Sequence, residues 1–237
     1  MWWDCRRSKI YKDFYDINLC KNRKIKRNRK MMEIDFIKAD TEKYLEFAKD
    51  VYMEAFPENE RKPFSMLVDG QEKGNVEILI GNLCRDDLPY PNGSGMTAEF
   101  KDEGAGEVCP AALIVLAKHA DVILLDYFAV REGFRGRGVG ADILRKLQER
   151  CKGKRLLLEI ESTKVEAENL AQRLSRKRFY ERCGMRCMDY SVDVLGVAME
   201  VLTFGCEVGF AEYRVVYEEV YGAEIGAQVR LAGKEIR

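Results

Sequence analysis

The stretch DYFAVREGFRGRGVGA, residues Asp126 to Ala141, decides the fold because it predicts a strand, a glycine-rich turn and a helix in succession. Glycine lets the backbone come close to a ligand, since it has no Cβ atom. The N–H groups in the first turn of a helix lack partners within the helix, and the helix dipole favours anions there. The junction is therefore a candidate pyrophosphate site, to which Arg135 and Arg137 add positive charge. Three glycines lie across it: Gly136, Gly138 and Gly140.

Other nucleotide-binding folds also use glycine-rich turns. A P-loop ends in Gly-Lys-Ser/Thr, whereas residues 138–141 read Gly-Val-Gly-Ala. A Rossmann turn needs Gly-x-Gly-x-x-Gly after a strand of a parallel sheet, with an acidic residue about twenty positions later. Glu159 and Glu161 lie near that distance, but the glycines are two residues apart and the preceding strand belongs to an apparent hairpin. A dinucleotide site and a turn with no ligand remain as alternatives.

Outward from this segment, apolar periodicity predicts alternating strands and helices. The predicted strands are 33–38, 76–84, 111–116, 122–130, 155–161, 185–194 and 199–204. The predicted helices are 42–55, 64–69, 138–151, 165–183 and 212–221. Thr41 is a suitable cap for the first helix, and Gly184 suits the left-handed end of the fourth. Residues 85–107 are predicted to be a long loop, and the last fifteen residues have no assignment.

Composition predicts a globular protein of 237 residues that needs no disulfide or metal for stability. No apolar run reaches the ~18 residues of a membrane-spanning helix, and we see no signal peptide. The eight cysteines are scattered, so free thiols in the cytoplasm and no metal site are expected. The single histidine, His119, disfavours a Ser-His or Cys-His hydrolase.

Charge divides the chain into two parts. Residues 1–30 hold eleven Lys or Arg and three Asp, about +8, so the remaining residues carry about −8. Three segments are expected: a basic N-terminal extension (1–31), disordered or an over-extended gene start; a domain (32–222); and a C-terminal tail (223–237). A basic tail could bind nucleic acid or anionic lipid, but its basicity does not set the functional prediction.

The chain resembles the GCN5-related N-acetyltransferase (GNAT) family of bacterial type. Arg135-Gly136-Arg137-Gly138-Val139-Gly140 matches the family signature Gln/Arg-x-x-Gly-x-Gly/Ala, and it follows Phe128-Ala129-Val130 as the family's strand requires. Phe179-Tyr180-Glu181-Arg182-Cys183-Gly184-Met185 matches a second feature, Phe-Tyr-Glu-x-x-Gly-Phe, with Met in the last position. The resemblance covers about residues 32–222. It implies an α/β (α+β) fold with a mixed, mostly antiparallel sheet of six or seven strands and helices on both faces.

The resemblance also implies acetyl transfer from acetyl-CoA to an amine by direct attack. Tyr180 would protonate the departing thiolate, and the N–H of Val130 would stabilise the oxyanion. Asp126 is the candidate base, directly or through water, although many relatives carry Glu at this position; the alternative is that it only orients substrate. The expected acetyl-CoA contacts come from the strand end, the turn and the helix start: Phe128, Ala129, Val130, Arg135, Gly136, Arg137, Gly138, Val139, Gly140 and Ala141.

The acceptor amine, a small molecule or a peptide, is not identified by the sequence. Glu58, Glu60 and Arg61 follow the first helix and are candidates for its pocket, as are Glu159 and Glu161. A covalent route through Cys183 lacks a histidine partner. A catalytically silent CoA-binding regulatory module is the alternative function. We expect a monomer or homodimer that binds neither membrane nor nucleic acid.

Overall fold

The computed structural model describes residues 31–83, 101–102, 106–107 and 109–232. The predicted basic extension and most of the predicted loop 85–107 therefore lie outside the described residues. The chain divides into two compact units. The N-terminal unit comprises residues 31–118 and 125–150, and the C-terminal unit comprises residues 119–124 and those from 151 onward.

The described residues in the first half of the chain form six strands and three α-helices. In chain order they are β1 (Ile34–Lys38), α1 (Glu42–Ala55), α2 (Phe64–Lys73), β2 (Val76–Leu83), β3 (Lys101–Asp102), β4 (Gly106–Glu107), β5 (Cys109–His119), β6 (Val122–Val130) and α3 (Val139–Arg150). The strand order is β1-β2-β5-β6, and β3 pairs only with β4. Strands β1 and β2 are antiparallel, as are β2 and β5.

Helix α1 begins where the sequence predicts. The Thr41 side chain accepts a hydrogen bond from the Tyr44 N–H at 3.4 Å, which satisfies one donor of the first turn. One face of the helix is buried because its apolar residues recur at helical spacing. That face consists of Tyr44, Phe47, Ala48, Val51 and Tyr52.

The second half of the chain contains four strands and three helices. They are β7 (Arg155–Glu161), α4 (Leu170–Arg182), β8 (Arg186–Val194), β9 (Val197–Thr203), α5 (Phe210–Tyr221), α6 (Ala223–Gly226) and β10 (Val229–Leu231). The strand order is β7-β9-β8-β10, with every neighbouring pair antiparallel. Tyr213, Val216 and Tyr217 on α5 are fully buried, so α5 supplies much of the core of this unit.

The predicted fold class, a mixed and mostly antiparallel α/β protein, is confirmed. Apart from β3 and β4, eight strands are described, whereas six or seven were expected. The unexpected strand is β10, which lies in the unassigned C-terminal segment and pairs with β8. Two helix boundaries were predicted wrongly. Helix α2 continues to Lys73, and α4 begins at Leu170 rather than 165. Among the described residues, none of the helices has the length and apolar character needed to cross a membrane.

Candidate functional site

The turn between β6 and α3 has a backbone that requires glycine at two positions. Gly136 and Gly138 have φ angles of +72° and +85°. A residue with a Cβ atom adopts this left-handed region at a cost of roughly 1–2 kcal/mol. The turn leaves β6 with the Arg131 N–H bonded to the Ala111 carbonyl on β5 at 2.9 Å. The strand end and the turn are thereby fixed to the same sheet.

The turn presents a row of backbone donors. The N–H groups of Gly136, Gly138, Val139 and Gly140 have no hydrogen-bond partner within the described part of the chain. Two others in the predicted set are already used locally. The Arg135 N–H donates to the Glu132 carbonyl and the Ala141 N–H to the Gly138 carbonyl, each at 3.1 Å. The available donors are thus concentrated at the N-terminus of α3, where the helix dipole favours an anion.

The side chains around this turn add charge and direction. The Arg135 Nε donates to the Val130 carbonyl at 2.8 Å, so this guanidinium lies against the end of β6. Arg137 is half-buried within the turn. Ala129 is buried and Phe128 is half-buried.

Helix α3 is held closely against its sheet. A Cβ atom added at Gly81 on β2 would lie 3.2 Å from Ile143 Cδ1, a tight contact that only a shift of the Ile143 side chain would relieve. The buried Asp142 carboxylate accepts the Met32 N–H at 3.3 Å, and Lys146 pairs with Asp35 at 2.8 Å. These contacts fix the helix end that carries the free donors.

Asp126, the candidate base, is part of a buried ion pair that the sequence did not predict. Lys62 Nζ lies 2.9 Å from one carboxylate oxygen of Asp126 and 3.0 Å from the other. The two side chains are only 5% and 4% exposed. Lys62 lies between α1 and α2, next to the predicted pocket residues Glu58, Glu60 and Arg61. An ionised carboxylate has about four lone-pair sites, so it can accept hydrogen bonds from more than one donor.

Two tyrosines hold the Lys62 segment, Tyr127 from β6 and Tyr52 from α1. The Lys62 N–H donates to the Tyr127 hydroxyl at 3.0 Å, and that hydroxyl donates to the Glu60 carbonyl at 3.0 Å. The Tyr52 hydroxyl donates to the Lys62 carbonyl at 2.9 Å. Burial, with the neighbouring Tyr127, raises the pKa of Tyr52, so the Tyr52 hydroxyl acts as a neutral donor. These hydrogen bonds fix the backbone of residues 60–62, beside the predicted acceptor pocket, within the N-terminal unit.

Tyr180, the candidate acid, lies in the last turn of α4 in the C-terminal unit. Its side chain is buried, and its ring packs edge to face on that of Phe179, with 5.1 Å between the ring centroids. Burial is the largest influence on the pKa of Tyr180, which is raised to about 12. Arg176 lowers this pKa and Cys183 raises it, each by a smaller amount. The phenol is therefore protonated at any physiological pH. The chain turns immediately afterwards through Gly184, whose φ is +98°.

The two predicted glutamates of β7 are bound within the C-terminal unit. Glu159 accepts hydrogen bonds from the hydroxyls of Tyr213 at 2.5 Å and Tyr217 at 2.8 Å. Glu161 pairs with Arg173 at 2.6 Å. The described residues contain no group of three or more His, Cys, Asp or Glu arranged to hold a metal ion.

Residues 96–186 match the family model for the acetyltransferase (GNAT) domain. This segment of the chain is therefore similar to a GNAT acetyltransferase domain. The matched segment includes β6, the glycine turn, α3, β7 and α4. It therefore includes both sequence motifs on which the predicted resemblance depends.

The fold is similar to that of one solved structure, and two further solved structures match more weakly. A Bacteroides thetaiotaomicron protein described as a GNAT-family acetyltransferase has a TM-score of 0.58 and 19% identity, over 82% of this chain and 98% of its own. A Bacillus subtilis acetyltransferase in complex with CoA has a TM-score of 0.45 and 14% identity, over 74% and 99%. An aminoglycoside 6'-N-acetyltransferase complexed with coenzyme A has a TM-score of 0.49 and 11% identity, over 75% and 100%. None of the curated proteins matches the chain.

Proposed function

We propose that this protein transfers an acetyl group from acetyl-CoA to the amine of an acceptor by direct attack. The observation that carries the proposal is the junction of β6 with α3. There, two left-handed glycines and the start of a helix present four N–H groups that have no partner among the described residues, in a segment that matches the GNAT model. A pyrophosphate carries charge and acceptor oxygens that suit this arrangement.

The donor site is proposed to run from β6 into α3. The backbone of Phe128 and Val130, with Ala129 between them, would hold the pantetheine arm as an added strand. The pyrophosphate would bind the N–H groups of the turn and of the first residues of α3. The guanidinium of Arg135, now on the Val130 carbonyl, and that of Arg137 would add charge. The residues present fit CoA without any metal ligand.

The proposed chemistry moves one acetyl group and one proton. The neutral amine attacks the thioester carbonyl carbon, and the N–H of Val130 stabilises the oxygen that becomes negative. The carbon–sulfur bond then breaks. The Tyr180 hydroxyl gives its proton to the departing thiolate, and burial, which raises the pKa of the phenol to about 12, keeps it protonated until that step.

The proton lost by the amine is proposed to go to Asp126, directly or through a water molecule. Lys62 holds both carboxylate oxygens of Asp126, at 2.9 and 3.0 Å, and so fixes their direction.

The experiment that tests the proposal compares wild type with Tyr180→Phe over a panel of amines. The change should lower kcat by about 100-fold, the usual size of a general acid's contribution, with CoA affinity unchanged. Tyr190→Phe is the control, because the Tyr190 hydroxyl bonds only to the Val208 carbonyl at 2.9 Å. An unchanged kcat would remove Tyr180 from the mechanism. A wild type that binds CoA but acetylates no amine would support the silent binding module.

A further inference from the structure

Helix α4 is attached to the rest of its unit by polar contacts rather than by an apolar face. Tyr180 is the one side chain of this helix that is fully buried. Its thirteen residues, LAQRLSRKRFYER, include five basic residues and a single acid. A helix on the surface of a protein is ordinarily held by an apolar stripe. Helix α4 lacks such a stripe, so polar contacts must place it.

The first of these contacts is made by the buried Glu161 at the end of β7. Its carboxylate pairs with Arg173 at 2.6 Å and with Arg176 at 3.3 Å. Asn169, the residue before the helix, donates to the same carboxylate at 3.3 Å and accepts from the Arg173 Nε at 2.7 Å. A buried carboxylate is costly unless paired, so this network fixes the start of α4.

The second contact lies nearer to Tyr180. Glu200 on β9 is only 3% exposed, and Lys177 Nζ lies 2.5 Å from one of its oxygens. The other oxygen accepts the Thr163 N–H at 2.7 Å and the Thr163 hydroxyl at 2.6 Å. The Cys187 thiol is 3.5 Å from Glu200 Oε2. Lys177 precedes Tyr180 by three residues, which places it one turn away on the same helix.

We propose that Glu161 and Glu200 are positioning residues: through Arg173 and Lys177 they hold α4, and with it Tyr180, in the place where the phenol acts. The proposal rests on the proposed function of Tyr180 as the acid. It assigns to two buried carboxylates the task that an apolar face performs in other helices. Glu161 fixes the beginning of the helix, and Glu200 fixes the turn before the phenol.

The test combines kinetics with hydrogen–deuterium exchange of residues 170–182. Glu200→Gln and Lys177→Met should each lower kcat about tenfold, since small misplacements of a catalytic group are costly, with KM for acetyl-CoA unchanged. Exchange in α4 should become about tenfold faster in both. Lys177→Arg keeps the charge and should retain most of the activity. Glu218→Gln, which removes an exposed pair with Arg214 on α5, is the matched control.

The decisive variant is the double change Glu200→Gln with Tyr180→Phe. If Glu200 acts through Tyr180, the double variant has the kcat of Tyr180→Phe alone, because the phenol is already absent. Additive losses would overturn the proposal and leave Tyr180 as the acid.

If wild type transfers no acetyl group, the proposed function fails, and hydrogen–deuterium exchange then tests the inference by itself. Unchanged exchange in α4 of Glu200→Gln and Lys177→Met would overturn it. Thr163→Ala is the milder variant should Glu200→Gln not fold, and it should shift exchange in the same direction.

Discussion

At the scale of single residues, Gly136 and Gly138 hold backbone conformations that other residues adopt only with strain. Replacing Gly136 by alanine should lower the free energy of unfolding by about 1 kcal/mol and weaken CoA binding. The matched control is Gly133→Ala in the same turn, where φ is not positive and a Cβ atom meets nothing within 4 Å. Urea unfolding and calorimetric titration with CoA measure both effects. Equal losses in the two variants would contradict a conformational requirement.

Lys62 is the second residue whose role can be isolated. Lys62→Met would leave the buried Asp126 carboxylate without its ammonium partner. We expect a loss of about 3 kcal/mol in the free energy of unfolding. In the control, Lys118→Met removes a half-exposed pair with Glu77 at 3.1 Å, and the loss should be below about 1 kcal/mol. Similar losses would show that burial of the Lys62–Asp126 pair is energetically unimportant.

The sequence predicts those parts of the site whose residues are neighbours in the chain, and it misses those whose partners are far away in the chain. The glycine turn could be predicted because its residues adjoin one another and because the start of α3 follows directly. Lys62 could not, since its partner Asp126 is 64 positions away and lies in a different element. The only signal would have been a lysine amid the candidate pocket residues. Asp126 as a base and Val130 as an oxyanion donor stay predictions.

At the scale of elements, the boundaries of α4 show the same limit. Periodicity predicted a helix from residue 165, but Ser162 and Thr163, just before that position, are held by distant partners. The Ser162 N–H donates to the Ala198 carbonyl at 2.8 Å, and Thr163 is bound to Glu200. Segment α6–β10 was missed because its strand is short and exists through pairing with β8. By contrast, α1 was predicted correctly, since its cap and its apolar face are both local.

The contact between α4 and Glu200 predicts a specific sensitivity to acid. Burial raises the pKa of Glu200, but the donors of Lys177 and Thr163 lower it more, from 4.5 to about 2. The folded state therefore favours the ionised form. This contribution is fully present above pH 4.5 and is lost as the pH falls toward 2, a total of roughly 3 kcal/mol. Lys177 and the Cys187 thiol are the titratable groups that face this carboxylate.

The measurement is urea unfolding of wild type and Glu200→Gln between pH 6 and about pH 3. Wild type should lose stability over this range more steeply than the variant, because glutamine does not titrate. Glu218→Gln serves as the control, since its exposed pair contributes little. Parallel curves for wild type and Glu200→Gln would contradict the assignment.

At the scale of the whole molecule, the charge of residues 1–30, about +8, contrasts with about −8 in the remainder. We predict that a variant lacking residues 1–30 keeps its free energy of unfolding and its affinity for CoA. The proposed donor site lies wholly within residues 126–141, so the deletion removes none of it. Unfolding and calorimetry check the prediction, and an insoluble product or a weakened affinity for CoA would show that the extension is part of the domain.

The central claim is the proposal that this protein uses the β6–α3 junction, within the segment that matches the GNAT model, to pass an acetyl group from acetyl-CoA to an amine. The most direct measurement follows a ¹³C-labelled acetyl group from acetyl-CoA into an amine library by mass spectrometry, together with release of the CoA thiol. The predicted result is an acceptor that gains the labelled acetyl group in equal amount to the thiol released. Thiol release without a labelled amine, or no release with any amine in the library, would contradict the claim.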